Sequence, residues 1–192
     1  MSLAPRPAWR VFPWDPRAAD GDSRSPRYVP PFQGHGRFDL RDAPRGVLYL
    51  AESPEHAIAE KLQDLRNQSL EDTDLFEGGH RYALAEVQLA PATFETMVDL
   101  CDPPTILERQ TPPDHVAALT RTTTQALARK LYDAGGAGFR WWSTFLGEWH
   151  NLVIFADRLA DEPSISTPRP LHPNDPDLQL AARFLGIALP PR

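Results

Sequence analysis

Apolar side chains recur along this chain in short, separated runs, and their spacing decides which runs read as strands and which as helices. Trp9 to Trp14 is aromatic and apolar with Arg10 embedded, and predicts a short edge strand ended by Pro13. Gly46 to Ala51 predicts a second strand. Ser53 followed by Pro54 then opens a helix, because the hydroxyl can cap orphan amides and Pro54 sits where no amide hydrogen is needed. That helix is expected to run from Pro54 to about Arg66, with Ala57, Ile58, Leu62 and Leu65 on one face and His56, Glu60 and Gln63 on another that the core does not claim. Further on, Arg81 to Leu89 alternates as a half-buried strand and Thr96 to Leu100 as a shorter one. Val116 to Tyr132 has helical spacing and stops at Gly135-Gly136. Phe139 to Ser143 and Asn151 to Ala156 predict strands. Asp175-Pro176 opens a last helix whose Leu178, Leu180, Ala181, Phe184 and Leu185 are available for docking. Strands and helices segregate more than they alternate, which predicts an α+β architecture.

Between these elements, residues 15 to 36 are rich in Pro, Gly, Ser, Asp and Arg and predict a long loop, a feature often tied to function. The length of 192 residues fits one domain, with its core at about 9–158 and a proline-rich connection and helix over 159–192. The 21 prolines concentrate near both termini and around positions 103 to 113, so extended connections are expected. Acidic side chains outnumber basic ones 26 to 20, a net charge of −6 that disfavours a surface built for nucleic acid or an anionic membrane. A polyanionic ligand would therefore need local arginines. One cysteine, Cys101, allows no internal disulfide, and the N-terminus has no basic segment followed by an apolar core of signal-peptide length. No apolar run approaches the roughly 20 residues that span a bilayer. These features predict a cytoplasmic protein.

The chemistry concentrates in Gly34-His35-Gly36-Arg37-Phe38-Asp39, the strand Gly46–Ala51 and the helix that follows, a loop, strand and helix in succession. Arg37 between glycines could grip a pyrophosphate bidentately while the backbone approaches the ligand closely. Its ordinary alternative is an ion pair with Asp39 or Asp42. Tyr49 is either a core tyrosine or a ring that stacks on a planar ligand. Glu60 is either a surface glutamate or a carboxylate placed to meet developing positive charge, and His56, one turn earlier, could hydrogen-bond to it. Arg10, between Trp9 and Val11 with Phe12 beyond, needs a partner if buried and is a second candidate anion anchor, with Arg27 its rival. A metal site at His56 and Glu60 lacks a third ligand at a known spacing. Gly34 to Gly36 is too short for a phosphate loop, no nucleophile elbow surrounds Ser143, and Trp141-Trp142 reads as core or wall.

The order Arg37, Tyr49, Glu60, with Ser143 downstream in Gly-Phe-Arg-Trp-Trp-Ser and the apolar strand Asn151–Phe155 after it, resembles the RES-domain family from about Trp9 to Arg158. That family is named for an arginine, a glutamate and a serine and is regarded as related to ADP-ribosyltransferases. The resemblance implies one domain of ADP-ribosyltransferase-like α+β fold, with sheets flanked by helices around an NAD cleft. It implies a toxin that degrades NAD as its substrate by cleaving the nicotinamide–ribose bond, with no metal. Glu60, Arg37 and Tyr49 are the implied catalytic residues, and Arg10, Arg37, Tyr49 and Ser143 the implied NAD contacts, with Tyr49 against the nicotinamide end. A cognate antitoxin carrying a helix-turn-helix domain is the implied partner, and a homodimer is left open. Water, inorganic phosphate and a protein side chain all stand as acceptors, so ADP-ribosylation of a protein is one alternative and a noncatalytic binding module another. His35, Phe38, Asp39 and Trp141-Trp142 depart from the commoner pattern, which has glycine, tryptophan and asparagine at the first three places. The changes leave Arg37 and Ser143 in place and bear on the shape of the nicotinamide pocket.

Overall fold

The structure, a computed structural model, describes residues 4–31, 33–143, 146–159 and 161–190. In chain order the strands are β1 (Arg6–Pro13), β2 (Val47–Ala51), β3 (Phe76–Glu77), β4 (His80–Leu89), β5 (Met97–Asp99), β6 (Gly138–Trp142), β7 (His150–Phe155), β8 (Ser164–Ile165) and β9 (Arg169–Pro170). The helices are α1 (Pro54–Leu62), α2 (Pro91–Glu95), α3 (Pro103–Glu108), α4 (Pro113–Ala117), α5 (Arg121–Asp133) and α6 (Pro176–Leu185). This is an α+β chain, as its pattern predicts. Its contacts divide it into two units, one of Met1–Arg6, Val29–Leu50 and Leu89–Pro163, the other of Pro7–Tyr28, Ala51–Gln88 and Ser164–Arg192.

In the first unit the strands run in the order β2-β7-β6-β5. β6 and β7 pair antiparallel with Phe139 opposite Val153 and Trp141 opposite Asn151, whereas β5 joins β6 in parallel with Val98 opposite Phe139. A parallel pair requires a crossover, and α3, α4 and α5 supply it. The core combines Val47, Val98, Phe139, Trp141, Val153 and Phe155 from the strands with Leu127, Ala128 and Leu131 from α5, and Phe38 and Leu40 from the loop before β2. Phe38 meets Phe139 and Trp141 edge to face at 4.9 and 5.1 Å between ring centroids, an arrangement that favours the ring quadrupoles. Gly138 must lack a side chain, because a Cβ there would stand 2.2 Å from the Val153 carbonyl oxygen.

The single helix expected over Val116 to Tyr132 is in fact two, α4 and α5, separated by an extended Ala118 with φ −55° and ψ 137°. The carbonyls of Val116 and Ala118, left without helical partners at this break, accept from the Arg37 guanidinium instead. At the other end of α5, Gly135 at φ +89° and Gly136 return their amides to the carbonyls of Tyr132 and Leu131, the stop expected from the glycine pair.

In the second unit β1 lies beside β4, with β3, β8 and β9 also pairing to β4, and Trp9 stands opposite Ala51 at the end of β2. β1 is therefore not the edge strand expected from its proline. Pro7 and Pro13 sit near its ends, where a missing amide hydrogen costs little, and Trp14 continues the ladder by donating to the Arg81 carbonyl at 3.0 Å. α1 is shorter than expected and tightens into a 3-10 turn at Gln63–Leu65. It packs on α6, which makes the C-terminal helix part of this unit's interior. α6 buries Leu178, Ala181, Ala182 and Leu185, but Leu180 and Phe184, also expected to dock, remain 38% and 48% exposed because they fall outside that stripe. Gly186 ends α6 in the left-handed conformation.

Candidate functional site

In the first unit the loop from Gln33 to Leu40 is built against β2. Gln33 imitates a neighbouring strand, its side-chain amide donating to the Val47 carbonyl at 2.7 Å and its oxygen accepting the Val47 amide at 2.6 Å. The buried Asp39 organises the turn that follows. One carboxylate oxygen accepts the Gly34 and Gly36 amides at 2.8 and 2.7 Å, and the other accepts the Tyr49 hydroxyl at 2.7 Å. The hydroxyl in turn accepts the Phe38 amide at 3.0 Å. From the outside, Gln125 of α5 donates to the Gly34 and Gly36 carbonyls, Thr124 to the Arg37 carbonyl and Arg121 to that of His35. Backbone donors are thus satisfied by Asp39 and Tyr49 and backbone acceptors by α5, which holds the loop in one conformation.

Arg37 turns to backbone carbonyls and aromatic rings. Its Nη2 donates to the Val116 and Ala118 carbonyls, each at 3.0 Å, and the guanidinium lies over the Trp141 ring at 4.5 Å and the Phe38 ring at 5.4 Å. Carbonyl dipoles and ring faces orient the cation. Asp42 pairs with Arg129 of α5. Tyr49, in mid-strand, points away from the face of Leu48 and Leu50 and is 37% exposed, so it is not the buried core tyrosine of its ordinary alternative. Its hydroxyl is the sheltered end: burial first and the Asp39 carboxylate second push its pKa well above the usual tyrosine value. Ser143 follows β6 two residues beyond Trp141, is buried, and donates its amide to the Trp149 carbonyl at 2.6 Å.

In the second unit Ser53 caps α1 by accepting the His56 amide at 3.3 Å, with Pro54 in the first turn. The helix then presents His56 and Glu60 one turn apart, and His56 Nε2 lies 3.0 Å from Glu60 Oε1. His56 was expected on a face free of the core but is buried, only 1% exposed, while Glu60 keeps 29% of its side-chain surface. The buried stripe of α1 is broader than its aliphatic residues indicate and includes His56 beside Ala59. Glu60 thus combines a buried neighbour at one carboxylate oxygen with a side chain that keeps part of its surface exposed.

Arg10 donates from Nη1 to the Pro26 and Tyr28 carbonyls, both at 3.0 Å, and its guanidinium lies 5.1 Å from the Phe12 ring centroid. Among the described residues no carboxylate pairs with it, and burial lowers its pKa to about 10, which leaves it charged at neutral pH. Arg27 is held by Asp20 at 2.9 Å. No group of three or more His, Cys, Asp or Glu side chains among the described residues is placed to hold a metal ion. Likewise no helix among them is long and apolar enough to cross a membrane. The residue that inspection of the chain alone undervalued is Asp39, read there as a departure from a pattern and as a partner for Arg37. The only signal for its role was its place three residues after Gly36, the spacing of a side chain that turns back onto its own loop.

Comparison with known proteins bears on the whole chain. A search of the curated proteins gives no match. Among solved structures, a chain in the crystal structure of the M. tuberculosis MbcT-MbcA toxin-antitoxin complex shares this fold with a TM-score of 0.60 and 15% sequence identity, over 96% of this chain and 90% of that one. The model of the RES domain matches residues 7–178, from the start of β1 into α6, and so takes in the loop, strand and helix that carry Arg37, Tyr49 and Glu60 as well as Ser143. The chain belongs to the RES-domain family.

Proposed function

We propose that this chain is the toxin of a toxin–antitoxin pair and acts by cleaving the nicotinamide–ribose bond of NAD. The observation that carries the reading is Glu60, whose carboxylate is set by the buried His56 at 3.0 Å yet retains exposed surface. As the glycosidic bond lengthens, its electron pair leaves with nicotinamide and positive charge grows on the ribose; an oriented carboxylate lowers the energy of that state more than of bound NAD. Arg37, oriented by the Val116 and Ala118 carbonyls, holds the pyrophosphate. Arg10, which has no carboxylate partner among the described residues, is preferred over the Asp20-paired Arg27 as the second anchor. Tyr49 offers its exposed ring to nicotinamide, and Ser143 contributes to the ribose side. Water or inorganic phosphate then supplies the electron pair to the anomeric carbon and releases a proton, giving ADP-ribose or its 1″-phosphate.

Family membership and a fold shared with a chain of a toxin–antitoxin complex support the toxin role and a protein antitoxin as partner. In this reading the antitoxin carries a helix-turn-helix domain and the toxin works in the cytoplasm, where NAD is abundant. The test is to incubate purified, folded protein with NAD at graded phosphate concentrations and resolve products by mass. Loss of NAD with release of nicotinamide is expected, together with growth arrest on expression without an antitoxin. NAD left intact at every phosphate concentration would end the enzymatic reading. Transfer of ADP-ribose to a protein without free ADP-ribose or its phosphate would replace it by protein modification.

A further inference from the structure

We infer that Asp39 is a positioning residue that commits the Tyr49 hydroxyl proton and fixes the Arg37 loop, so that Tyr49 meets its ligand only as a ring face and a hydrogen-bond acceptor and selects a base bearing an uncharged amide over one bearing a carboxylate. The selectivity rests on the reading that Tyr49 faces nicotinamide; the positioning role does not.

The direction of each hydrogen bond follows from what each group can do. The Phe38 amide is a donor only, so the Tyr49 oxygen accepts from it and must send its own proton elsewhere. The Asp39 oxygen at 2.7 Å is the acceptor for that proton. The other carboxylate oxygen is occupied by two more donors, the amides of Gly34 and Gly36, so three donors converge on one buried carboxylate. Burial and this carboxylate together hold the phenol in its protonated form. The hydroxyl therefore has no proton left to offer a ligand. What remains for a ligand is the ring of this partly exposed residue and one lone pair of its sheltered oxygen.

A group that meets that lone pair must bring a hydrogen. A carboxamide does so through its N–H, whereas a carboxylate brings a second acceptor and a negative charge toward the one on Asp39. An asparagine at position 39 would behave differently. Its carbonyl could still accept the two glycine amides, but its NH₂ would then face Tyr49 and donate to it. The tyrosine proton would be released to point outward, and the negative charge would be gone. The tight seat confirms that the three groups are built as a unit: a Cβ on Gly36 would stand 2.4 Å from Asp39 Oδ1 and 2.8 Å from the Tyr49 oxygen.

Two measurements on the intact chain test this. In the first, Asp39→Asn, Tyr49→Phe and the double variant are compared by urea denaturation. The change caused by Asp39→Asn should shrink by about tenfold in the folding equilibrium constant when Tyr49 is already phenylalanine. Additive effects would overturn the positioning role. In the second, calorimetry compares NAD with its deamidated analogue, nicotinic acid adenine dinucleotide. The natural chain should prefer NAD by about tenfold or more, Asp39→Asn should lose most of that preference, and Tyr49→Phe should lose part of it through weaker NAD binding. A preference unchanged in both variants would overturn the selectivity. If neither dinucleotide bound the natural chain, the NAD reading would fail and the selectivity with it, while intact coupling in the first measurement would still assign Asp39 its positioning role.

Discussion

Gly36→Ala is expected to disrupt the site from within. A methyl group at this position would meet Asp39 Oδ1 at 2.4 Å, Asp39 Cγ at 2.8 Å and the Tyr49 oxygen at 2.8 Å, all inside ordinary contact distance. Gly36 does not have a positive φ, so alanine suits its backbone and the collision is the whole effect. Asp39 cannot withdraw without stretching the bonds it accepts from Gly34, Gly36 and Tyr49. Overpacking of this kind costs about 1–3 kcal/mol, and weakening one charge-assisted hydrogen bond adds about 1.5–3 kcal/mol. The expected loss is therefore about 3–5 kcal/mol, a large part of the stability of an ordinary domain. It is read from the midpoint of urea denaturation at unchanged slope. Gly147→Ala is the control, since a Cβ there meets nothing within 4 Å, and it should stay within about 0.5 kcal/mol of the natural chain. A Gly36→Ala protein as stable as the control would refute the reasoning, because the carboxylate could then move freely and would not be organising the loop.

Glu60→Gln should lower NAD turnover by at least about 10²-fold with affinity changed only a few-fold, since the charge it opposes appears only as the bond breaks; near-normal nicotinamide release would remove Glu60 from the mechanism. Arg37→Ala should lose stability as well as dinucleotide affinity, by about 2–3 kcal/mol in denaturation, because its hydrogen bonds to the Val116 and Ala118 carbonyls and its packing on Trp141 go with the charge. A variant as stable as the natural chain would show those contacts to be idle. The raised pKa of Tyr49 means that the unfolded chain gives up this proton first, so its stabilising effect is present below the ordinary value of 10.0 and is lost as pH rises above it. Tyr49→Phe should flatten the fall in stability above about pH 10, measured by denaturation across that range, and an unchanged slope would contradict the arrangement.

Strands β1, β2 and β4 to β7 and helices α1, α5 and α6 were legible because local pattern and global packing agree there, whereas β3, β8, β9, α2 and α3 were not read from the sequence. Ser53-Pro54 starts α1, Asp175-Pro176 starts α6 and Gly135-Gly136 ends α5 for reasons contained in a few adjacent residues. The errors arose where a distant group decides the outcome. Nothing local in Val116 to Tyr132 breaks the helix at Ala118; the break is matched by Arg37, some eighty positions earlier, which takes up the carbonyls that it frees. β1 looked like an edge because Pro13 is visible in the sequence and β4, its neighbour, is not adjacent in it.

The same distinction governs the candidate site. Residue types were the guide, because few side chains can bind a pyrophosphate or oppose a growing cation, and that reasoning singled out Arg37, Tyr49 and Glu60. Their supports were less so. His56 was foreseen beside Glu60 but not as a buried residue, since burial of a helical face is set by what packs on it rather than by the helix's own pattern. Asp39 was seen as a departure from a pattern and as a charge to neutralise Arg37, and a carboxylate three residues from a glycine has two competing options: pair with the nearby cation, or accept the loop's own amides. The structure takes the second, and the consequence runs through both neighbours at once. Through Gly34 and Gly36, Asp39 holds the loop that carries Arg37, and it takes up the Tyr49 proton. One buried carboxylate thereby ties the Arg37 loop to the Tyr49 hydroxyl, which makes position 39, where the commoner family pattern has an asparagine, the place where a single substitution is expected to loosen both without touching Arg37 or Glu60.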